Sequence, residues 1–146
     1  MSIRTDYTRH NAGYMQLEKD GLTSWSTDEE RSKMWELLSQ TLEAPYFPKT
    51  GNILELGCGT GHTSAQLSSR DYKVTGIDIS EVAIRIAKSN FFDIEFLVGN
   101  VLDMRDLADN VFDAVIDGHC LHCIIGEDRS QFFSEVMRVL IPGGIL

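Results

Sequence analysis

The sequence contains no stretch of about 20 consecutive apolar residues, the length that a helix needs to cross a bilayer. Its first ten residues also lack the apolar segment of a secretory signal peptide. Its three cysteines, Cys58, Cys120 and Cys123, form an odd set without the spacing of a disulfide framework. These absences predict a protein without a membrane span, located in the reducing environment of the cytoplasm.

Basic residues are also scarce. The chain has 13 Lys and Arg against 22 Asp and Glu, which gives a formal net charge of -9. Such a surface would release few counterions from a phosphate backbone, so we do not expect nucleic acid as a partner. With 146 residues, of which 42% are hydrophobic, the composition is that of one globular domain. A small molecule is therefore the expected substrate.

Metal-ligating residue types are concentrated at one place, where His119, Cys120, His122 and Cys123 follow each other closely. Structural zinc sites usually take their ligands from two separated pairs, and the sequence has no second pair. A metal site is therefore the weaker interpretation of this segment, and we predict none.

The most informative segment is residues 53–61, Ile-Leu-Glu-Leu-Gly-Cys-Gly-Thr-Gly. An apolar run typical of a strand enters a turn with glycine at positions 57, 59 and 61, and the residues after it can form a helix. Glycine allows positive φ and lets a ligand approach bare backbone. A helix start adds unpaired N–H groups. The segment therefore predicts a ligand site between a strand and a helix.

The spacing of these glycines disfavours a dinucleotide, whose fingerprint is G-x-G-x-x-G, because the turn reads G-x-G-x-G with His62 at the last glycine position. Glu55 would repel a pyrophosphate but could accept a hydrogen bond from an ammonium group. Asp78 ends a second apolar run about 20 positions after Gly57, the offset at which an acid commonly binds ribose hydroxyls. The predicted ligand carries a ribose and an amino group, and an NAD-type oxidoreductase is less favoured.

This pattern resembles the class I S-adenosylmethionine (SAM)-dependent methyltransferases, whose first motif reads hh-E/D-h-G-x-G-x-G. The resemblance extends over residues 51–146 and includes the acid Asp78, a Gly-Asn-Val step at 99–101, an apolar run at 112–117 and Arg-Val-Leu-Ile-Pro-Gly-Gly at 138–144. It implies SAM as the cofactor and S-adenosylhomocysteine as the product. It also implies an α/β fold, a doubly wound Rossmann-like three-layer sandwich with strand order 3-2-1-4-5, truncated relative to the seven-stranded family fold.

Alternating strand and helix patterns after residue 51 independently favour a mostly parallel sheet of about five strands with helices on both faces. The predicted elements are strands over 52–56, 73–78, 94–98 and 111–117, helices over 61–70, 80–89 and from 127 or 129 to 140, and a turn at 142–144 that leads into a fifth strand from Ile145. We assign residues 49–146 to the SAM-binding core.

Residues 1–48 are predicted to form an arm and a helix that cover the cofactor site, within the same single domain. The helix spans residues 28–43 and follows capping-box spacing, either Thr27 with Glu30 or Ser26 with Glu29. Residues 1–21 are expected to form a loose arm or a short helix. The resemblance implies that Tyr14 and Trp25 stack on or cover the cofactor, and packing of the helix against the sheet is an equal alternative.

The resemblance also implies roles for residues at the strand ends. The implied cofactor-binding residues are Glu55, Gly57, Cys58, Gly59, Gly61, Asp78, Ile79, Asn100, Val101, Asp117 and Gly118. Glu55 would face the amino group of SAM, Asp78 would accept both ribose hydroxyls, and Ile79 would pack on the adenine. Asn100 stands where the family often has Asp and can still accept from the adenine amino group, while Val101 would offer its backbone N–H to the ring.

Catalysis is expected to depend on position more than on a particular side chain, because direct methyl transfer from a sulfonium needs no protein nucleophile. The family places the segment after strand four near the methyl group. His119 and His122 are therefore candidates for a general base toward the acceptor. Packing at the strand end is the stronger interpretation of both.

The resemblance thus implies a SAM-dependent methyltransferase, or its cofactor-binding core, that transfers a methyl group to a small-molecule acceptor by direct in-line displacement. A SAM-binding module without turnover is the alternative, since the strands that would complete the family fold are missing from the pattern. An exposed edge at the fourth or fifth strand also predicts a homodimer.

Overall fold

The computed structural model describes residues 4–146 and contains one five-stranded sheet flanked by helices. The strands are β1 (Gly51–Leu56), β2 (Tyr72–Asp78), β3 (Glu95–Val98), β4 (Phe112–Asp117) and β5 (Leu140–Ile145), and the helices are α1 (Thr8–Lys19), α2 (Asp28–Glu43), α3 (His62–Ser68), α4 (Glu81–Asn90) and α5 (Asp128–Val139). All neighbouring strands are parallel, in the order β3-β2-β1-β4-β5. The predicted fold class and strand order are confirmed.

The central strand β1 is buried on both faces, which explains its nearly continuous apolar sequence. Successive side chains of a strand point to opposite faces of the sheet. Ile53 therefore joins Leu42 of α2 and Leu67 of α3 on one face, and Leu54 joins Phe132 of α5 on the other. Two apolar layers thus clamp the sheet and hold its strand ends in place.

The register of the sheet brings the carboxyl ends of four strands to one edge. Leu56, the last residue of β1, lies beside Ile77 of β2 and beside Asp117 of β4. Asp78 in turn lies beside Val98 of β3. Ligands of open α/β sheets bind at this edge, where the strand order reverses between β1 and β4.

Helix α2 occupies the predicted range and begins with a capping box. The Thr27 hydroxyl accepts from the Glu30 backbone N–H at 3.2 Å, and the Glu30 carboxylate accepts from the Thr27 backbone N–H at 2.9 Å. The predicted alternative, Ser26 with Glu29, is not used. Leu42 on this helix is buried, whereas Met34, eight residues earlier, is 37% exposed and lines the cavity described below.

Of the two alternatives predicted for residues 1–21, a loose arm or a short helix, the structure shows the helix α1; residues 1–3 lie outside the described part. The side-chain oxygen of Asn11 accepts from the Ser80 hydroxyl at 2.9 Å and from the Val82 backbone N–H at 3.2 Å. Glu18 pairs with Arg85 of α4 at 2.9 Å. These contacts fix α1 against the start of α4, beside the carboxyl end of β2.

The fifth strand corrects a prediction. Residues 142–144 were expected to form a turn before a strand that begins at Ile145, but they lie inside β5. Phe112 pairs with Leu140, and Ala114 pairs with Ile145, so β5 carries extra residues that bulge out of the ladder. Proline has no N–H for a ladder and is tolerated at a bulge or on an edge strand, and β5 is an edge strand.

None of the helices in the described range has the length and hydrophobicity needed to traverse a bilayer. The two edges of the sheet are β3 and β5, since β4 is paired on both sides. Pairing of a second chain along β5 would have to accommodate Pro142 and the bulge.

Candidate active site

A cavity of about 860 Å³ opens at the carboxyl edge of the sheet, between the strand ends and the helices α1 and α2. Its floor consists of the glycine turn, the end of β2 and the segment after β4. Its roof includes Tyr14, Trp25 and Met34. A cavity of this size is in the range of small-molecule and cofactor sites.

The glycine turn exposes bare backbone to this cavity and folds back onto β2. The backbone N–H groups of Gly57 and Cys58 both donate to the Ile77 carbonyl, at 2.8 and 3.0 Å. Gly59 has φ +54°, and a Cβ there would lie 2.7 Å from the Tyr14 hydroxyl. A side chain at position 59 would therefore be strained and would fill the space beneath the roof.

Asp78 links the end of β2 to the turn. Its carboxylate accepts from the Gly59 N–H at 2.9 Å with one oxygen and from the Ser80 N–H at 2.9 Å with the other. The side chain is buried, and burial raises its pKa above the ordinary value. Each carboxylate oxygen has two lone pairs, so acceptor capacity toward a ligand remains.

Glu55 lies deeper, at the end of β1, and is 2% exposed. The Ser64 hydroxyl donates to its carboxylate at 2.5 Å. The pKa of Glu55 is raised to about 8, mainly by burial; the Ser64 hydrogen bonds oppose this shift, and the charges of Asp78 and Asp117 add to it. Both Glu55 and Asp78 line the same cavity, as the sequence predicted. With this pKa, Glu55 is largely protonated at pH 7 in the ligand-free protein, and a positively charged ligand beside it would favour the ionised form. Two buried carboxyl groups in one cavity therefore favour a ligand with positive charge and hydroxyl donors.

Comparison with known proteins agrees with this geometry. The methyltransferase domain family matches residues 54–146. A ubiquinone/menaquinone biosynthesis C-methyltransferase from Desulfotalea psychrophila is 39% identical over 102 residues, which cover 66% of this chain and 40% of that protein. The crystal structure of a SAM-dependent methyltransferase from Methanosarcina mazei has a TM-score of 0.61 and 33% identity, over 66% of this chain and 50% of that one.

The chain belongs to the class I SAM-dependent methyltransferases. The cofactor of this family is SAM. The PH0226 protein from Pyrococcus horikoshii matches this chain with a TM-score of 0.71 and 34% identity, over 82% of this chain and 53% of that chain. The chain spans between 35% and 57% of the length of the curated relatives it matches.

Most of the residues that the sequence singled out line the cavity. They are Glu55, Gly57, Cys58, Gly59, Asp78, Ile79, Asn100, Val101, Gly118, His119 and His122. Gly118 is tightly confined, because a Cβ there would lie 2.8 Å from the Gly57 carbonyl oxygen and 2.9 Å from a carboxylate oxygen of Glu55. The segment after β4 therefore packs directly on the glycine turn.

Gly61 and Asp117 are placed outside the cavity wall. Gly61 packs against Phe96 of β3, where a Cβ would lie 2.6 Å from the ring. The Asp117 carboxylate accepts from the backbone N–H groups of Cys120 and Leu121, at 2.8 and 3.1 Å, and so caps the short 3-10 helix Leu121–Cys123. Both residues therefore support segments that form the cavity wall, without lining the cavity themselves.

Tyr14 and Trp25 lie at the cavity and contact each other, and their contact with the cofactor stays a prediction. Tyr14 is 8% exposed and covers Gly59, while the Trp25 ring stands edge-on to it with centroids 5.4 Å apart. Both rings line the cavity; Tyr14 packs on the glycine turn at Gly59, and Trp25 packs on Gly13 of α1. Burial raises the pKa of the Tyr14 hydroxyl, which therefore stays protonated.

His119 has an unusual backbone for a non-glycine residue, with φ +71°. Its ring nitrogen lies 3.2 Å from the Met34 sulfur of α2, so it joins the segment after β4 to the roof. The His122 nitrogen lies 3.3 Å from the Cys123 sulfur. Among residues 4–146, no three His, Cys, Asp or Glu side chains are grouped so that they could hold a metal ion.

Sequence reasoning missed Ser64 and His62. Ser64 supplies the hydrogen bond to Glu55, and His62 lines the cavity with a buried ring nitrogen, Nε2, that has no hydrogen-bond partner in the described chain. No local signal marks Ser64, because its contact depends on how α3 packs over β1. In the sequence, His62 stands out only because it occupies the last glycine position of a dinucleotide fingerprint.

The raised pKa of Glu55 predicts how stability depends on pH. Its folded pKa of about 8 exceeds the ordinary value of 4.5, so the stability that it contributes is complete below pH 4.5 and is lost as the pH rises toward 8. We expect the free energy of unfolding of the ligand-free protein to fall across this window, by up to about 1.4 kcal/mol per pH unit. Denaturant titrations should give a flatter profile for Glu55→Gln. Equal slopes for the two proteins would contradict the assignment.

Proposed function

We propose that the protein transfers a methyl group from SAM to a small-molecule acceptor by direct in-line displacement. The observation that supports this most strongly is the pair of buried carboxylates, Glu55 and Asp78, on either side of a bare glycine turn in one cavity. SAM carries an ammonium group, a sulfonium and ribose hydroxyls, and it has no phosphate. Such a ligand fits this set of acceptors, and a pyrophosphate does not.

Within this proposal, Glu55 accepts from the ammonium group of SAM and is held for this by the Ser64 hydroxyl. Asp78 accepts from both ribose hydroxyls while its bonds to Gly59 and Ser80 keep the carboxylate in place. The backbone of Gly57 and Gly59 runs beside the methionine part and the ribose. Each group of the cofactor thus meets a residue that another contact already orients.

The adenine lies against Ile79, Asn100 and Val101 in this proposal. The Asn100 carbonyl oxygen already accepts from the Leu102 N–H at 2.9 Å, which orients the amide. One lone pair of that oxygen remains for the adenine amino group. The Val101 backbone N–H supplies a donor to the ring.

When bound, SAM supplies an electrophilic methyl group on a positively charged sulfur. The chain contributes position and exclusion of water, through the turn below and Tyr14 and Trp25 above. Cys58 is not a nucleophile in this scheme, because burial raises its pKa well above the ordinary value and keeps the thiol protonated. His119 and His122 line the wall from which an acceptor proton would be removed.

The proposed acceptor is a small molecule, because the net charge of -9 does not favour nucleic acid. We also propose a cytoplasmic location, consistent with three free cysteines.

Self-association through the open sheet edge is part of the proposal. Light scattering that shows a strict monomer at high concentration would remove it.

Calorimetry with SAM, S-adenosylhomocysteine and NAD tests the cofactor. We expect binding of the first two and none of NAD, and the reverse result would favour an oxidoreductase. Release of S-adenosylhomocysteine in the presence of a panel of small-molecule acceptors then tests turnover. Tight SAM binding without release for any acceptor would favour a binding module instead.

A further inference from the structure

Cys120 and Cys123 lie at the two ends of one tight turn in the segment after β4. The Cys123 backbone N–H donates to the Cys120 carbonyl at 2.9 Å, so the turn is closed by a hydrogen bond. A turn of four residues keeps its first and last Cα atoms within about 7 Å of each other. A disulfide needs Cα atoms about 4.4 to 6.8 Å apart, so this backbone is compatible with a bond between the two sulfurs.

Both cysteines of this turn line the cavity and are only partly buried. The third cysteine, Cys58, is buried, and its sulfur packs on β2, where a Cβ added at Gly76 would lie 2.9 Å from it. A reagent that enters the cavity can therefore reach Cys120 and Cys123 more readily than Cys58. These two are also the cysteines that the backbone places together.

The two thiols of the turn have different surroundings. Nε2 of His122 lies 3.3 Å from the Cys123 sulfur, within hydrogen-bond reach of a thiol. An imidazole at this distance can take the thiol proton and leave a nucleophilic thiolate. For Cys120, burial raises the pKa of the thiol, and the Asp117 carboxylate raises it further. The arrangement makes Cys123 the attacking thiol and Cys120 the thiol that acts second.

Asp117 holds this turn in one conformation. Its carboxylate accepts from the backbone N–H groups of Cys120 and Leu121, at 2.8 and 3.1 Å. A bond between Cys120 and Cys123 would close a ring of only four residues. Closing so short a loop removes little chain entropy, so the bond would add little stability and would be readily reduced again.

We propose that Cys120 and Cys123 form a dithiol site that a low-molecular-weight disulfide oxidises reversibly. Cys123 gives its proton to His122, and its thiolate attacks one sulfur of the small disulfide. A mixed disulfide forms, and the small thiolate that leaves takes up that proton. Cys120 then attacks the Cys123 sulfur, which breaks the mixed disulfide, and the Cys120 proton passes to the second departing thiolate. The chain loses two hydrogen atoms, and the small disulfide becomes two thiols.

This inference goes beyond the proposed function and does not depend on it, because its measurements need no cofactor. The purified chain is equilibrated with mixtures of reduced and oxidised glutathione, and its free thiols are counted in denaturant alongside mass spectrometry. The reduced chain has three free thiols. We expect a single free thiol and a mass lower by two hydrogen atoms in oxidising mixtures, with full reversal by reduced glutathione.

Substitutions of the cysteines separate their roles. Cys120→Ser should stop at the mixed disulfide and carry one glutathione on Cys123. Cys123→Ser should keep both remaining thiols free, because Cys120 lacks the neighbouring base. Cys58→Ala is the control and should still form the disulfide.

His122→Asn should slow the first exchange about tenfold or more at neutral pH, because the attacking thiol loses its base. His119→Asn is the matched control, since it removes an imidazole from the same segment whose nitrogen faces the Met34 sulfur, and it should leave the rate unchanged. Equal slowing in both variants would overturn the role of His122.

Three free thiols in the wild-type chain at every glutathione ratio would overturn the proposed site. So would a wild-type chain that stops at the mixed disulfide, because the second thiol would then be out of reach. Loss of the internal disulfide in Cys58→Ala would contradict the pairing of Cys120 with Cys123.

Discussion

Asp78→Ala should weaken binding of S-adenosylhomocysteine by about 1.5 to 3 kcal/mol, the scale of lost hydrogen bonds to a charged group. The carboxylate is the proposed acceptor for both ribose hydroxyls, and it also holds the Gly59 and Ser80 N–H groups. Its removal therefore affects the ligand directly and loosens the turn. Calorimetric titration of the wild-type and variant proteins measures the effect.

Asp113→Ala is the control for this loss. Asp113 also accepts a backbone hydrogen bond, from Asn52 at 2.8 Å, but it does so near the amino end of β1, away from the cavity. We expect a reduced unfolding free energy in Asp113→Ala and unchanged affinity for S-adenosylhomocysteine. Unchanged affinity in Asp78→Ala itself would be incompatible with the ribose assignment.

Gly61→Ala should lower the free energy of unfolding by about 2 to 5 kcal/mol, which combines left-handed strain with overpacking. Gly61 has φ +88°, and a Cβ there would lie 2.6 Å from the ring of Phe96 and 3.2 Å from the Cβ of Ala87. Phe96 is 1% exposed and has little room to move. Chemical denaturation at a fixed pH measures the change.

Gly21→Ala separates the two contributions. Gly21 has a similar backbone, φ +72°, but nothing lies within 4 Å of the Cβ position. Strain alone then acts, and we expect a loss of about 1 to 2 kcal/mol. In addition, Phe96→Leu should cost less in the Gly61→Ala background than in the wild type, because the smaller side chain relieves the contact. An equal decrease in the free energy of unfolding for the two glycine variants would show that the contact with Phe96 does not contribute to the destabilisation.

The fold was largely predictable because its signals are local. The apolar runs of β1, β2 and β4, the Thr27 and Ser80 caps and the glycine turn each arise from neighbouring residues. Right-handed crossovers then restrict parallel strands to few orders. The prediction for residues 142–144 was wrong because Pro-Gly-Gly is typical of a turn. In the structure, pairing with β4 on both sides keeps these residues inside β5, where they form a bulge.

The site was predictable in position but not in its contacts. Glu55 lies near the end of one apolar run, Asp78 ends a second and Asn100 comes after a third, so their convergence at one sheet edge followed from the topology. The helix α1, by contrast, has a weak apolar pattern and is anchored through Asn11 to the first turn of α4. Contacts of that kind join residues about seventy positions apart, and no local pattern encodes them.

The amino-acid sequence alone established a parallel α/β sheet, a glycine turn unsuited to pyrophosphate and two acids at adjoining strand ends, because spacing and chain direction are properties of neighbouring residues. Only the tertiary structure shows that Glu55 is buried beside Ser64, that Gly61 packs against Phe96 instead of lining the cavity, and that Nε2 of His62 has no hydrogen-bond partner within residues 4–146. The physical reason is that burial and hydrogen-bond partners depend on which distant segments pack together, and these decide the charge and the donors that a ligand meets.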